Sequence, residues 1–234
     1  MKKTKVAIFD IDGTIFRNSL LVELHWKMVK EGIIPRSATK ELDRRYWNWI
    51  TRKGTYDDYL QEVIDSFNEF VKGVPTKTIQ RLAREVVKVQ SNIVYRYTRA
   101  LVGRLRKTHL LVAISGSPQI VVGEFARAWK FDYYIGTQHR IRDSKFTEGN
   151  IWVASENKQE ALRRLQEQHG FTLGRGSVGV GDTESDIKIL EIVDLPICFN
   201  PTARLFAAAQ KHNWLTVIER KDVTYALRRG KLIR

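Results

Sequence analysis

Cysteine is nearly absent from this chain: one residue of 234, Cys198, carries a thiol. A single sulfur forms no intramolecular disulfide and builds no thiolate zinc site. Set in the apolar stretch "LPICFN", it reads as a small core residue. Histidine is sparse as well. His25, His109, His139, His169 and His212 are scattered without ligand spacing, which argues against an imidazole-bound metal. No apolar run reaches the roughly 18 residues that span a bilayer. The short N-terminal run at residues 6–9 ends in acid, unlike a signal peptide. These absences, with a cysteine usage that fits a reducing compartment, lead us to expect a soluble, cytoplasmic protein.

Negative charge is also in short supply. Against 40 Lys and Arg stand 26 Asp and Glu, a net charge of +14. Such a balance attracts polyanions and phosphorylated substrates, although a solvated Lys/Arg surface gives the same count. Hydrophobic residues make up 43% of the chain, enough for a sizeable core.

What is present is a strand–helix alternation with one interruption. Residues 5–9 read as a buried strand. From about Ser19 to Gln90 the pattern is helical throughout, in "SLLVELHWKMVKEG", "SATKELDRRYWNWI", "TYDDYLQEVIDSFNEFVKGV" and the run from Thr76, each with an N-cap or a Gly stop. Afterwards "HLLVAIS", "DYYIGT", "GSVGVGD", "LPICFN" and "WLTVI" read as strands separated by helices. "HRIRDSKFTEGNIW" suggests a hairpin, and "DVTYALRRG" a closing helix. The expected fold is α/β. It is a Rossmann-like, mostly parallel sheet with helices on both faces, plus a small all-helical cap inserted after the first strand. The expected core is 1–16 and 91–234, with the cap at 17–90. The basic end "LRRGKLIR" reads as a solvated tail.

In a parallel sheet, ligands bind beyond the carboxyl ends of the strands. Asp10, Ser115 and Asp182 each end one strand. Asp12 follows Asp10 by two, Asp186 lies one helical turn past Asp182, and Lys158 opens the preceding helix. Crowded carboxylates need a cation, and oxygen ligands without His or Cys suit Mg²⁺. A metal, a lysine and hydroxyl donors together suit a phosphoryl group. Taken singly, these residues have plainer readings: Asp-Gly as a turn, Asp182 and Asp186 as helix caps, Ser115 as a strand-end cap, and Lys158 as an ordinary helix start.

Together, "DIDGT", "ISGS", Lys158 and "GDTESD" resemble, in order, the four motifs of the haloacid dehalogenase-like phosphohydrolases. The helical block is similar to the cap of the phosphoserine-phosphatase-like branch, and "LPICFNPTARLFAAAQKHNW" to that branch's tail. The resemblance implies that Asp10 is the nucleophile and Asp12 the general acid and base. It implies that Asp10, the Asp12 carbonyl and Asp182 bind Mg²⁺, with Asp186 behind them. Ser115, Gly116 and Lys158 would bind phosphate, with Thr14 in support as part of the phosphate-binding turn. The expected enzyme is a phosphomonoester hydrolase acting on a small phosphorylated metabolite. Alternatives are a phosphotransferase that delivers the group to an alcohol and, more remotely, a non-catalytic nucleic-acid-binding module with salt-sensitive RNA binding.

The resemblance departs from phosphoserine phosphatases at two points. Where those enzymes carry a glutamate after the first motif, this chain has Ser19, and "TYDDYLQEVIDSF" lacks their arginine. A substrate other than phosphoserine is therefore expected. Arg17, Asn18 and Ser19 are candidate contacts, and the aromatic, basic composition of the cap suggests a larger or more acidic ester. Trp26, Trp47 and Trp49 read as cap packing or as a substrate-facing surface.

Overall fold

The computed structural model describes residues 5–228 and 231–232. Its centre is β1 (Lys5–Phe9), whose apolar residues are all buried. It lies between β2 (His109–Pro118) and β5 (Val178–Gly181), parallel to both. Beyond β2 come β3 (Tyr133–Arg142) and β4 (Lys145–Trp152), which form an antiparallel hairpin. Beyond β5 come β6 (Leu195–Phe199) and β7 (Leu215–Arg220), both parallel, then β8 (Val223–Arg228) and β9 (Lys231–Leu232), both antiparallel. The strand order is β4-β3-β2-β1-β5-β6-β7-β8-β9. The chain leaves β1 toward one side of the sheet and later returns on the other, so the end of β1 is a topological switch point.

The strand periodicity sorts side chains to two faces. Ala7, Phe9, Leu111 and Ala113 enter one buried cluster. Val6, Ile8, Val112 and Ile114 enter another with Ala161, Leu162 and Leu165 of α7 (Lys158–His169). The first cluster continues without a break into the helical block. It takes in Leu24 and Met28 of α1 (Leu20–Lys30), Val63 and Phe67 of α3 (Tyr56–Phe70) and Leu82 of α4 (Thr76–Gln90). Between them α2 (Lys40–Ile50) contributes Leu42. A reciprocal Thr55–Asp58 capping box starts α3, as the motif "TYDD" suggests. Two elements have no counterpart among the expected ones, α5 (Arg96–Leu105) and β9, which lies in the stretch expected to be a solvated tail.

The expectation of a closing helix is overturned, since residues 223–228 form β8. Val223, Tyr225 and Leu227 alternate with period two, and the strand pairs with β7 through a two-residue loop, Lys221 and Asp222. Lys221 takes a positive φ of 52°, which a hairpin turn of this length commonly needs. Of the basic end, Arg229, Gly230, Ile233 and Arg234 lie outside the described residues. Cys198 is buried as expected, and burial, reinforced by Asp186, pushes its thiol up to about 12. No described helix is long and apolar enough to cross a membrane.

Candidate active site

Asp10 leaves β1 at the switch point, its amide bonded to the Val180 carbonyl of β5 at 2.9 Å. The chain then closes a tight turn, in which the amides of Ile15 and Phe16 both reach the Ile11 carbonyl at 2.9 Å. Gly13 sits in that turn at φ 75°, and its open side faces the Asp182 carboxylate. The turn brings the end of β1 and the end of β5 together.

Lys158, the first residue of α7, is 4% exposed. Its Nζ lies 2.7 Å from Asp10 Oδ1 and 2.6 Å from Asp186 Oδ1. The other oxygen of Asp186 accepts from the amides of Asp182 and Thr183, each at 3.2 Å. Gly181 makes this possible, because a Cβ there would fall 2.2 Å from Asp186 Cγ. Thr14 donates to Asp182 Oδ1 at 3.0 Å. Asp12 accepts at both oxygens: from the Leu20 amide at 2.6 Å, Ser115 Oγ at 2.7 Å and Ser117 Oγ at 2.8 Å.

Asp10, Asp182 and Asp186 each offer an oxygen within 4.8 Å of the others. Burial raises the pKa of Asp10, and Lys158 offsets this in part while Asp186 and Asp12 add to it. Burial likewise raises Asp182 well above the ordinary carboxylate range, reinforced by Asp10 and Asp186. Asp12 is raised by burial against the pull of its three hydrogen-bond donors. Burial works against the Lys158 ammonium, but Asp10 and Asp186 outweigh it and hold its pKa above that of free lysine. One ammonium against this many carboxylates leaves negative charge uncompensated. The donor set is all oxygen, so the residues fit a hard divalent cation.

Asp10, Asp12, Asp182 and Lys158 floor a cavity of about 350 Å³. Asp10, Asp12, Gly116, Lys158 and Asp182 line it together, as the sequence suggests, and Arg17, Asn18 and Ser19 are at its wall. Two expected phosphate contacts are placed differently. Ser115 and Thr14 are fully buried, do not line the cavity, and turn their hydroxyls to Asp12 and Asp182. Arg17 stacks on Tyr95 at 5.6 Å and Asn18 donates to Glu23 at 2.6 Å. Ser19 is the buried N-cap residue of α1.

Sequence reasoning missed Ser117, which binds Asp12 and also accepts from the Leu21 amide at 3.0 Å. The period-two spacing from Ser115 was the available signal. It also missed the helical wall of Leu21, Tyr56, Leu60 and Ile64. Of the three cap tryptophans, Trp49 lines the cavity, Trp26 packs partly buried against the core, and Trp47 is an exposed side chain outside the cavity.

Residues 7–191 match the haloacid dehalogenase-like hydrolase family. The chain belongs to that family. Among its relatives is a "probable phosphatase" of Mycobacterium tuberculosis, 25% identical over 215 residues, which are 89% of this chain and 73% of the relative. A phosphoserine phosphatase of Methanocaldococcus jannaschii is 24% identical over 202 residues, 85% of this chain and 86% of that protein. The same haloacid dehalogenase-like fold is seen in a phosphoserine phosphatase solved as a phospho-aspartyl intermediate analogue. Its TM-score is 0.59 at 19% identity, covering 94% of this chain and 96% of that one.

Proposed function

We propose that the protein is a Mg²⁺-dependent phosphomonoester hydrolase working through an aspartyl-phosphate on Asp10, with 17–90 as a cap over a core of 1–16 and 91–234. The observation that carries this reading is the Lys158 clamp. A buried ammonium fixes one oxygen of Asp10 at the switch point and leaves the carboxylate facing the cavity with Asp12 beside it. The phosphatase names of the two relatives support the same chemistry.

In the first step Asp10 attacks phosphorus, the ester P–O bond breaks, and Asp12 gives its proton to the leaving oxygen. In the second, Asp12 takes a proton from water as that water attacks phosphorus. The bond to Asp10 breaks, and phosphate leaves. The two serine hydroxyls hold Oδ2 of Asp12, whereas Oδ1 accepts the Leu20 amide and keeps a second lone pair to carry the proton. Asp10, Asp182 and the Asp12 carbonyl would hold Mg²⁺, with Asp186 behind them, and the bound ion would neutralise charge on the phosphoryl oxygens. Lys158 and Gly116 face the phosphate, while Ser115 and Thr14 orient Asp12 and Asp182.

The test is phosphate release from p-nitrophenyl phosphate with Mg²⁺ or with EDTA. Wild type should turn over only with Mg²⁺. Asp10→Asn keeps the shape of the side chain and should lose at least about a thousandfold, roughly 4 kcal/mol of transition-state stabilisation. An Asp10→Asn protein that retains the wild-type rate would overturn the nucleophile assignment.

A further inference from the structure

The cavity has two unlike ends. Its floor holds the carboxylates and Lys158. Its opposite wall comes from the helical block and carries Leu21 of α1, Trp49 of α2, and Tyr56, Leu60 and Ile64 of α3. The last three are spaced i, i+4, i+8 and form one stripe along α3. Trp49 meets Tyr56 edge-on at 5.0 Å and stacks flat on Tyr59 at 5.9 Å, so the indole is held from two sides.

Three arginines of the cap are occupied elsewhere. Arg45 bonds Glu41 at 2.9 Å and Glu62 at 3.1 Å, Arg36 bonds Asp43 at 3.0 Å, and Arg44 pairs with Glu41. None of the three lines the cavity. The acidic ester suggested by cap composition therefore finds none of these three arginines there. Besides Lys158, the cation in the lining is Arg17, which is stacked on Tyr95. Against Trp49, Leu60 and Ile64 a zwitterionic leaving group would lose hydration and meet no charged side chain of that wall. An apolar group gains from the same burial.

Resting on the phosphatase reading, we infer that the substrate is a phosphomonoester of a compact apolar alcohol, flat or short-chained. Its phosphoryl group lies on the carboxylate floor and its hydrocarbon part against Trp49, Tyr56, Leu60 and Ile64. The volume of about 350 Å³ is at the small end for ligand sites, which sets the size limit.

The experiment compares kcat/KM, with Mg²⁺, for 2-phenylethyl phosphate and O-phospho-L-serine. Both are primary alkyl esters of similar intrinsic reactivity. Acetyl phosphate reports the chemistry without a leaving group that reaches the helical wall. 2-Phenylethyl phosphate should exceed phosphoserine by about 30-fold. Trp49→Ala should cost about tenfold more on 2-phenylethyl phosphate than on acetyl phosphate, mainly in KM. Leu60→Lys, which leaves the indole stack intact, should shift the ratio toward phosphoserine. If acetyl phosphate turns over through Asp10 but phosphoserine equals or exceeds 2-phenylethyl phosphate, the substrate class is overturned and the phosphatase stands. If acetyl phosphate turnover is absent, or survives Asp10→Asn, the phosphatase reading falls and the substrate class with it.

Discussion

Gly13 presents its bare Cα to the carboxylate of Asp182: a Cβ built there would fall 2.1 Å from Oδ2. Two demands meet at this residue, a φ of 75° and the space for a carboxylate that comes from the other side of the sheet. Gly32 separates them, because its φ is 74° and nothing lies within 4 Å of its would-be Cβ. Gly32→Ala should therefore cost only the backbone term, about 1 kcal/mol in denaturant unfolding, at full activity. Gly13→Ala should cost more than that, about 2 kcal/mol or above, and should lower kcat/KM at least about tenfold by displacing Asp182. Equal losses in the two variants would show that Asp182 is not held by this contact.

Asp182 also gives the metal assignment a test independent of turnover. Its carboxylate is buried beside Asp10 and Asp186, so its charge is a burden on the metal-free protein. Asp182→Asn should melt at or above wild type in EDTA. At about a hundred times its Kd, Mg²⁺ should stabilise wild type by roughly 2.7 kcal/mol. The variant should lose that increment, so the order of melting temperatures reverses. A wild-type melting temperature that ignores Mg²⁺ would count against a cation at these carboxylates.

Ser117 joins three pieces of chain through one hydroxyl: its own strand β2, Asp12 after β1, and the Leu21 amide in the first turn of α1. Ser117→Ala leaves the Leu21 amide without that acceptor and removes one donor from Asp12. A loss of about 1–3 kcal/mol in unfolding free energy is expected. Activity should fall by about tenfold or less, whereas Asp12→Asn should cost at least about a hundredfold. If Ser117→Ala unfolds at the wild-type midpoint, the hydroxyl is not what fixes the start of α1.

The contrast between Ser115 and Ser117 shows where sequence reading stops. Asp10, Lys158 and Asp182 were legible because strand ends and helix starts point to the same crevice, and local pattern locates such ends well. What each hydroxyl bonds is settled by groups about a hundred residues away, as with Ser117 and Asp12, and local pattern carries none of that. The same holds for the wall. Tyr56, Leu60 and Ile64 show helical spacing in the sequence, but a stripe that packs in a core looks identical to one that lines a cavity. β8 was misread for another reason. Its alternation is short, and its turn at Lys221 and Asp222 lacks the Gly or Asn that advertises a hairpin. Only pairing with β7 selects the strand.

His25 gives the helical block a dependence on pH. It is fully buried on α1, with Nε2 2.8 Å from Ser66 Oγ on α3 and Nδ1 buried without a partner. Burial lowers its pKa from 6.5 to about 4. His139 of β3 lies against the same helix, 5.3 Å from the Phe67 ring, and burial lowers it to about 4 as well. Below pH 6.5 the unfolded chain takes up protons that the folded chain refuses. The stability from a neutral His25 is therefore complete above about pH 6.5 and is lost as pH falls toward 4, by about 3 kcal/mol at most. His25→Gln can keep the bond to Ser66 and does not titrate. Its unfolding free energy should fall less steeply than that of wild type between pH 6.5 and 4, and the two should run parallel above pH 7. Parallel curves through the acid range would mean that His25 is already charged in the folded protein, against the burial that surrounds it.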